Sequence, residues 1–161
     1  MSSRDACPEC GAVVGAESAC QELFEHVGLP SYEDYRYGRL HRLAVDAYAL
    51  QHPARYCRSA KSLAAHLTGA CAALEHPEEA TELNATIQRW LSTNPPLDRP
   101  QPPASRGSRT IADVAQARDA DEHERRVRAW AASAWAAWSE HQPVAREWIE
   151  HARRAVPAKV R

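Results

Sequence analysis

Two cysteines stand close to the start of the chain in Cys7-Pro8-Glu9-Cys10-Gly11, a CxxC pair closed by glycine. Thiolates at that spacing are held by a tight turn and supply half of a tetrahedral zinc site, the proline and glycine shaping the turn so that backbone amides can face the sulfurs. Cys20 is the nearest third sulfur, and His26, His41, His52 and His66 follow it. His41 and His52 lie on nearly the same helical face but about 16 Å apart, so one ion cannot take both. His41 is the first choice, because Pro53 puts His52 at the far end of that helix; His52 is the alternative, since the N-terminal segment can run to either end. The expected metal set is therefore Cys7, Cys10, Cys20 and His41, with zinc as the ion. A redox pair of the thioredoxin type would need a strand before the CxxC, and no such strand precedes Cys7. The bland alternative is an incidental pair with no role.

A second constellation involves Asp46 and His66. If the helices before and after residues 53–58 form an antiparallel pair, matching distances from the turn set His66 opposite Val45 and Asp46. A carboxylate beside an imidazole orients its tautomer and raises its pKa, which suits general bases and metal ligands alike. In an enzyme, Asp46 and His66 would orient or deprotonate a water or thiol at an ion with an open position. The commoner use of such a pair is to satisfy two buried polar groups. His123 and His141, at opposite ends of one predicted helix, read as caps or surface groups. Trp130, Trp135, Trp138 and Trp148 have the spacing of a buried stripe rather than of a ligand cage; exposed, they would instead make a face for a protein partner. Arg153, Arg154, Lys159 and Arg161 form a weak anion patch. No Gly-rich phosphate loop, GxSxG elbow or HExxH helix occurs, which argues against those enzyme classes.

The elements that must position these residues are helices. Glycines are few, alanine is frequent, and apolar positions recur at three and four rather than two. A short helix is predicted from Ser18 to Val27, stopped by Gly28 and Pro30. A second is capped by Ser31 and runs to Gln51, where Pro53 disfavours helical geometry at His52. A third starts near Ser59, a fourth opens at Pro77 and carries Leu83, Ile87, Trp90 and Leu91. Pro95, Pro96, Pro100, Pro102, Pro103 and Gly107 then forbid regular structure, so residues 93–109 form a strap that covers a site or links two parts. Thr110 with Asp113, and Asp121 with Glu124, are capping patterns. The second opens a long helix carrying Val127, Trp130, Ala134, Trp138 and His141, and Pro143 opens the last. The fold class is all-α, a bundle of about five or six helices with a zinc-knuckle-like CxxC turn over residues 1–16 and the Pro-rich strap.

Composition sets the outer limits. The chain has 161 residues, enough for one domain spanning 1–161. Its 20 basic and 21 acidic side chains give a net charge of -1, so no nucleic-acid or membrane-surface partner is expected. No apolar run approaches the ~20 residues of a membrane span. Five cysteines is an odd count, and the chain opens on polar residues without a signal-peptide core; both favour a reducing cytoplasm. The bias towards alanine and arginine suits a high-GC bacterial source. The sequence specifies neither a small-molecule nor a protein partner, nor an oligomeric state.

Taken together, CPEC, HRLAVDAYALQHP, KSLAAHL and WAASAWAAW resemble a family of uncharacterised bacterial proteins over nearly the whole chain. The resemblance implies functional positions at Cys7, Cys10, His41, Asp46, His52 and His66, and no activity. The spacer between Cys10 and Cys20 looks short for that pattern, and Gln142 stands where a second histidine would follow His141. At fold level the chain also looks like the DinB-like helical bundles, in which histidines on facing helices hold a divalent metal and some members transfer or isomerise thiol adducts. The function expected is a zinc-binding helical protein with a mainly structural metal. The alternatives are a metal-dependent hydrolase or thiol transferase of DinB-like type, and an interaction module using the tryptophan face.

Overall fold

The computed structural model describes residues 5–15 and 19–157. The expected helix start at Ser18, residues 1–4 and 16 of the knuckle segment, and the basic Lys159 and Arg161 lie outside the described residues. Among those described the chain is all-helical, its strand content limited to one antiparallel bridge between Ala6 and Val13. The order is α1 (Ala19–Gly28), a 3-10 turn (Leu29–Tyr32), α2 (Tyr35–Gly38), α3 (His41–Gln51), α4 (Pro53–Tyr56), α5 (Ala60–Glu75), α6 (Ala80–Ser92), α7 (Ile111–Val114), α8 (Ala120–Ala137), a 3-10 turn (Ser139–His141) and α9 (Gln142–Ala155). No helix among the described residues is long and apolar enough to cross a membrane.

Local chemistry explains most boundaries. Ser59 and Ser62 form a reciprocal capping box that starts α5, and Thr110 with Asp113 does the same for α7. Four expected boundaries are corrected. Ser31 does not cap a helix, because its hydroxyl donates back to the Gly28 carbonyl at 2.5 Å; Asp34 accepts from the Arg36 amide instead, and the helix restarts at His41. Asp119, not Asp121, caps α8 by accepting from the Glu122 amide at 2.8 Å. Pro77 sits in the turn before α6, which begins at Ala80, and His141 belongs to the 3-10 turn beyond α8.

Packing divides the interior into two clusters that meet along α3 and α8. One, built on Leu63, Leu67, Ile87, Trp138 and Ile149, lies among α5, α6 and α9. The other, built on Leu43, Tyr48, Ile111, Val127 and Trp130, lies between α1, α3, α7 and α8 and includes Cys7, Cys10 and Cys20. All five tryptophans are buried, so they present no face to a partner. A buried indole needs an acceptor: Trp130 donates to Gln51 Oε1 at 2.8 Å and Trp138 to the Leu50 carbonyl at 3.0 Å.

The proline-rich strap is pinned along its length. Arg99 donates to the Cys57 carbonyl at 2.8 Å, His141 meets the Gln101 carbonyl at 2.8 Å, and the Arg109 amide donates to Ser133 Oγ at 3.0 Å. Wholly buried Gln51 uses its amide twice, to the carbonyls of Arg106 at 2.8 Å and Arg109 at 2.7 Å, while its oxygen takes the Trp130 donor. One side chain thus joins α3, the strap and α8. Gly107 has φ +105°, and a Cβ there would strike the Ser133 carbonyl oxygen at 2.7 Å.

Candidate metal centre

The N-terminal segment folds as a small hairpin. The Cys7 amide donates to the Ala12 carbonyl at 2.7 Å and the Gly11 amide to the Cys7 carbonyl at 2.9 Å, with Gly11 at φ +77°, a left-handed turn that glycine adopts without a Cβ clash. The turn turns both sulfurs inward. Cys20 joins them from the first turn of α1. The fourth group is His52, the residue that ends α3: with Pro53 after it, its backbone leaves the helical region at φ −127°, ψ 53°.

Sγ of Cys7 and Sγ of Cys20 each lie 3.5 Å from His52 Nε2, and the sulfurs of Cys10 and Cys20 are 3.7 Å apart. All four ligand atoms lie within 4.8 Å of one another. With Zn–S near 2.3 Å and Zn–N near 2.0 Å, a tetrahedron has edges of about 3.8 Å between sulfurs and about 3.5 Å between sulfur and nitrogen. The donor set therefore fits a tetrahedral ion. The cysteines are unpaired, and 3.7 Å is far beyond a disulfide bond.

Support around the four groups is of the kind metal ligands need. His52 Nδ1 lies 2.7 Å from the Tyr48 carbonyl, so Nδ1 carries the proton and the Nε2 lone pair faces the sulfurs. Tyr48 stacks on His52 at 4.0 Å, and Phe24 of α1 stacks on Tyr48 at 4.1 Å. Glu9, inside the CxxC, accepts the Ala54 amide at 3.1 Å and ties the hairpin to the start of α4. The four groups are only 2 to 7 % exposed. Sharing a hydrogen bond with Cys20, together with burial, pushes the Cys10 thiol up to about 12, while His52 and the Ala12 amide pull the other way. Without a cation that thiol stays protonated at neutral pH; a metal would have to displace its proton on binding.

His41, the first choice of the sequence, is elsewhere. It begins α3, exposed, with Nδ1 3.4 Å from Ser31 Oγ, and the chain brings the hairpin to the opposite end of that helix, where His52 sits.

Asp46 and His66 meet across α3 and α5, His66 Nδ1 lying 2.9 Å from Asp46 Oδ1. The other carboxylate oxygen accepts from Arg42 Nε at 2.9 Å, and Arg42 also reaches the Ala65 carbonyl at 3.2 Å. Asp46 is wholly buried, and neither Asp46 nor His66 lines any of the four principal cavities. The pair cross-links the two helices. A further group, Cys71, Glu75 and His76, also falls within 4.8 Å. There Arg146 already takes both oxygens of Glu75, at 2.6 and 2.9 Å, and burial pushes the Cys71 thiol up to about 12. That group is an ion pair.

Sequence reasoning missed Gln51, whose isolated polar side chain carries no motif; it held His52 as the alternative to His41, and His52 is the histidine that clusters with the three cysteines. No curated protein and no solved structure is significantly similar to the chain. Residues 5–139 match the family described as Family of unknown function (DUF5946), and the chain belongs to that family.

Proposed function

We propose that this protein binds one zinc ion through Cys7, Cys10, Cys20 and His52, and that the ion is structural, clasping the N-terminal hairpin and α1 to the end of α3. The observation that carries this is the agreement of the sulfur–sulfur and sulfur–nitrogen separations with tetrahedral edges in a buried site. Three thiolates and an imidazole favour zinc over harder cations, and four protein ligands leave no position for a substrate. The five unpaired cysteines suit a reducing compartment such as the cytoplasm.

Elemental analysis of protein purified under reducing conditions should find close to one zinc per chain. Cys10→Ser and His52→Ala should lose it, and His41→Ala should keep it. Cobalt in place of zinc should give thiolate charge-transfer and tetrahedral d–d bands that added azide leaves unchanged. A wild type that is metal-free and just as stable would overturn the metal reading; azide-sensitive bands would overturn the structural role and reopen the enzyme alternative.

A further inference from the structure

A cavity of about 210 Å³ lies between α1, the start of α3, α7 and α8, on the far side of Phe24 and Tyr48 from the cysteines. Its floor is core: Ile111, Val127 and Trp130 line it and are at most 1 % exposed. An apolar cavity of about 150 Å³ admits benzene, so this one has room for a substituted ring. Trp130 offers no donor here, since its N–H is bound to Gln51.

One buried polar side chain in that wall has no partner. His123 is 8 % exposed and stands 4.7 Å from the Tyr37 ring, and neither of its ring nitrogens makes a hydrogen bond among the described residues. Burial pushes its pKa below the ordinary histidine value, so the ring is neutral and keeps a lone pair. Its ring nitrogens are not among the fully enclosed polar atoms, so they open onto space that a small molecule can reach, and an unpaired acceptor in the wall of an apolar cavity points to a ligand. His41 stands at the same cavity. Ser31 Oγ spends its hydrogen on the Gly28 carbonyl at 2.5 Å, so it accepts from His41 Nδ1 at 3.4 Å, leaving His41 Nε2 as a second acceptor. No lysine or arginine lines the cavity, and its one carboxylate, Glu25, is exposed and bonded to Gln21 at 2.8 Å. The lack of a cation selects against anions; the hydroxyls of the less buried Tyr32 and Tyr37 are the other polar groups of the wall, and the buried acceptor is His123, which favours a neutral donor.

We propose that this cavity binds a neutral single-ring molecule carrying one O–H donor, a phenol, whose hydroxyl donates to His123. This goes beyond the metal reading and does not rest on it. The test is calorimetric titration of the purified protein with p-cresol, toluene and 4-methylbenzoate, beside long-range proton–nitrogen NMR of the histidine rings. p-Cresol should bind saturably, with Kd on the order of 1 mM or below, about fivefold tighter than toluene, as one net hydrogen bond implies; the benzoate should not bind, and only p-cresol should shift the His123 ring nitrogens. His123→Phe should bring p-cresol down to the affinity of toluene, and Ala44→Phe, which fills the cavity from α3, should abolish both. Absence of saturable p-cresol binding, equal binding of toluene, or a p-cresol complex that leaves the His123 ring unshifted would each overturn the proposal. The last readout uses wild-type protein and stands even if His123→Phe fails to fold.

Discussion

At Gly69 the side chain that is missing matters more than any that is present. The residue lies inside α5, where alanine would ordinarily add about 1 kcal/mol of helix stability over glycine. A Cβ there would sit 2.3 Å from Asp46 Oδ2 and 2.8 Å from Arg42 Nη2. Nothing in that contact can move cheaply, because Asp46 is wholly buried and held by Arg42 and His66. Gly69→Ala should therefore destabilise the protein by about 2 to 4 kcal/mol, the range for overpacking and for disturbing a buried charged pair. A urea titration showing the variant as stable as wild type would refute the close approach. The Asp46–His66 pairing was legible in the sequence, since equal distances from the turn at residues 53–58 fix it, but the glycine that makes room for it was not. Likewise Cys7, Cys10 and Cys20 could be read from type and spacing. His52 and His41 could not be ranked that way, because spacing along one helix excludes their joint use without saying which end the hairpin reaches.

α1 shows how an element can depend on one side chain. It has only 10 residues, below the length at which an isolated helix is stable in water. It carries Cys20 in its first turn and Phe24 one turn later, the first facing the metal-site residues and the second stacked on Tyr48. By contrast α5, with 16 residues, has a capping box and a stripe of fully buried Leu63, Leu67 and Cys71. If the proposed zinc is bound there, chelation should thus act unevenly. Hydrogen exchange at residues 19–28 and in the hairpin should rise at least tenfold when zinc is removed, while α5, α6 and α9 keep their protection. Uniform loss across the chain would mean that the metal holds the whole fold rather than this clasp; no change would mean that α1 stands without it. The capping boxes at Ser59 and Thr110 were legible because capping is local chemistry. Ser31 misled because its hydroxyl had a closer carbonyl to serve, and the strap's attachments were hidden because Gln51 lies 55 residues from the Arg106 carbonyl it binds.

Over the whole molecule, ion pairs tie segments that packing alone brings near. Arg146 of α9 holds Glu75 of α5, 71 residues away, and Arg39 reaches Glu124 of α8, 85 residues away. The consequence is a pH dependence of definite sign. Arg146 first, and the Trp135 and Cys71 donors after it, lower the pKa of Glu75; Arg126 and Arg118 bring Glu122 down to about 2, and Arg128 with Arg39 lowers Glu124. A carboxylate with a depressed folded pKa stabilises the native state above its ordinary value of 4.5, and that contribution is lost as pH falls through the folded value, because the unfolded chain then binds more protons. Buried His123 adds a loss that begins higher, below its ordinary 6.5, since the unfolded ring charges first. Zinc release would also weaken the protein in acid, as thiolates regain protons, so the midpoint of wild type alone cannot separate the causes. The difference between wild type and Glu75→Gln can, because metal loss and His123 are common to both. That difference in unfolding temperature should be constant from about pH 7 to about pH 5.5 and shrink towards zero as pH falls below 4.5 and through the lowered folded pKa of Glu75. A difference that stays flat through that window would show that the Arg146–Glu75 bridge contributes nothing to folding, as many exposed ion pairs do.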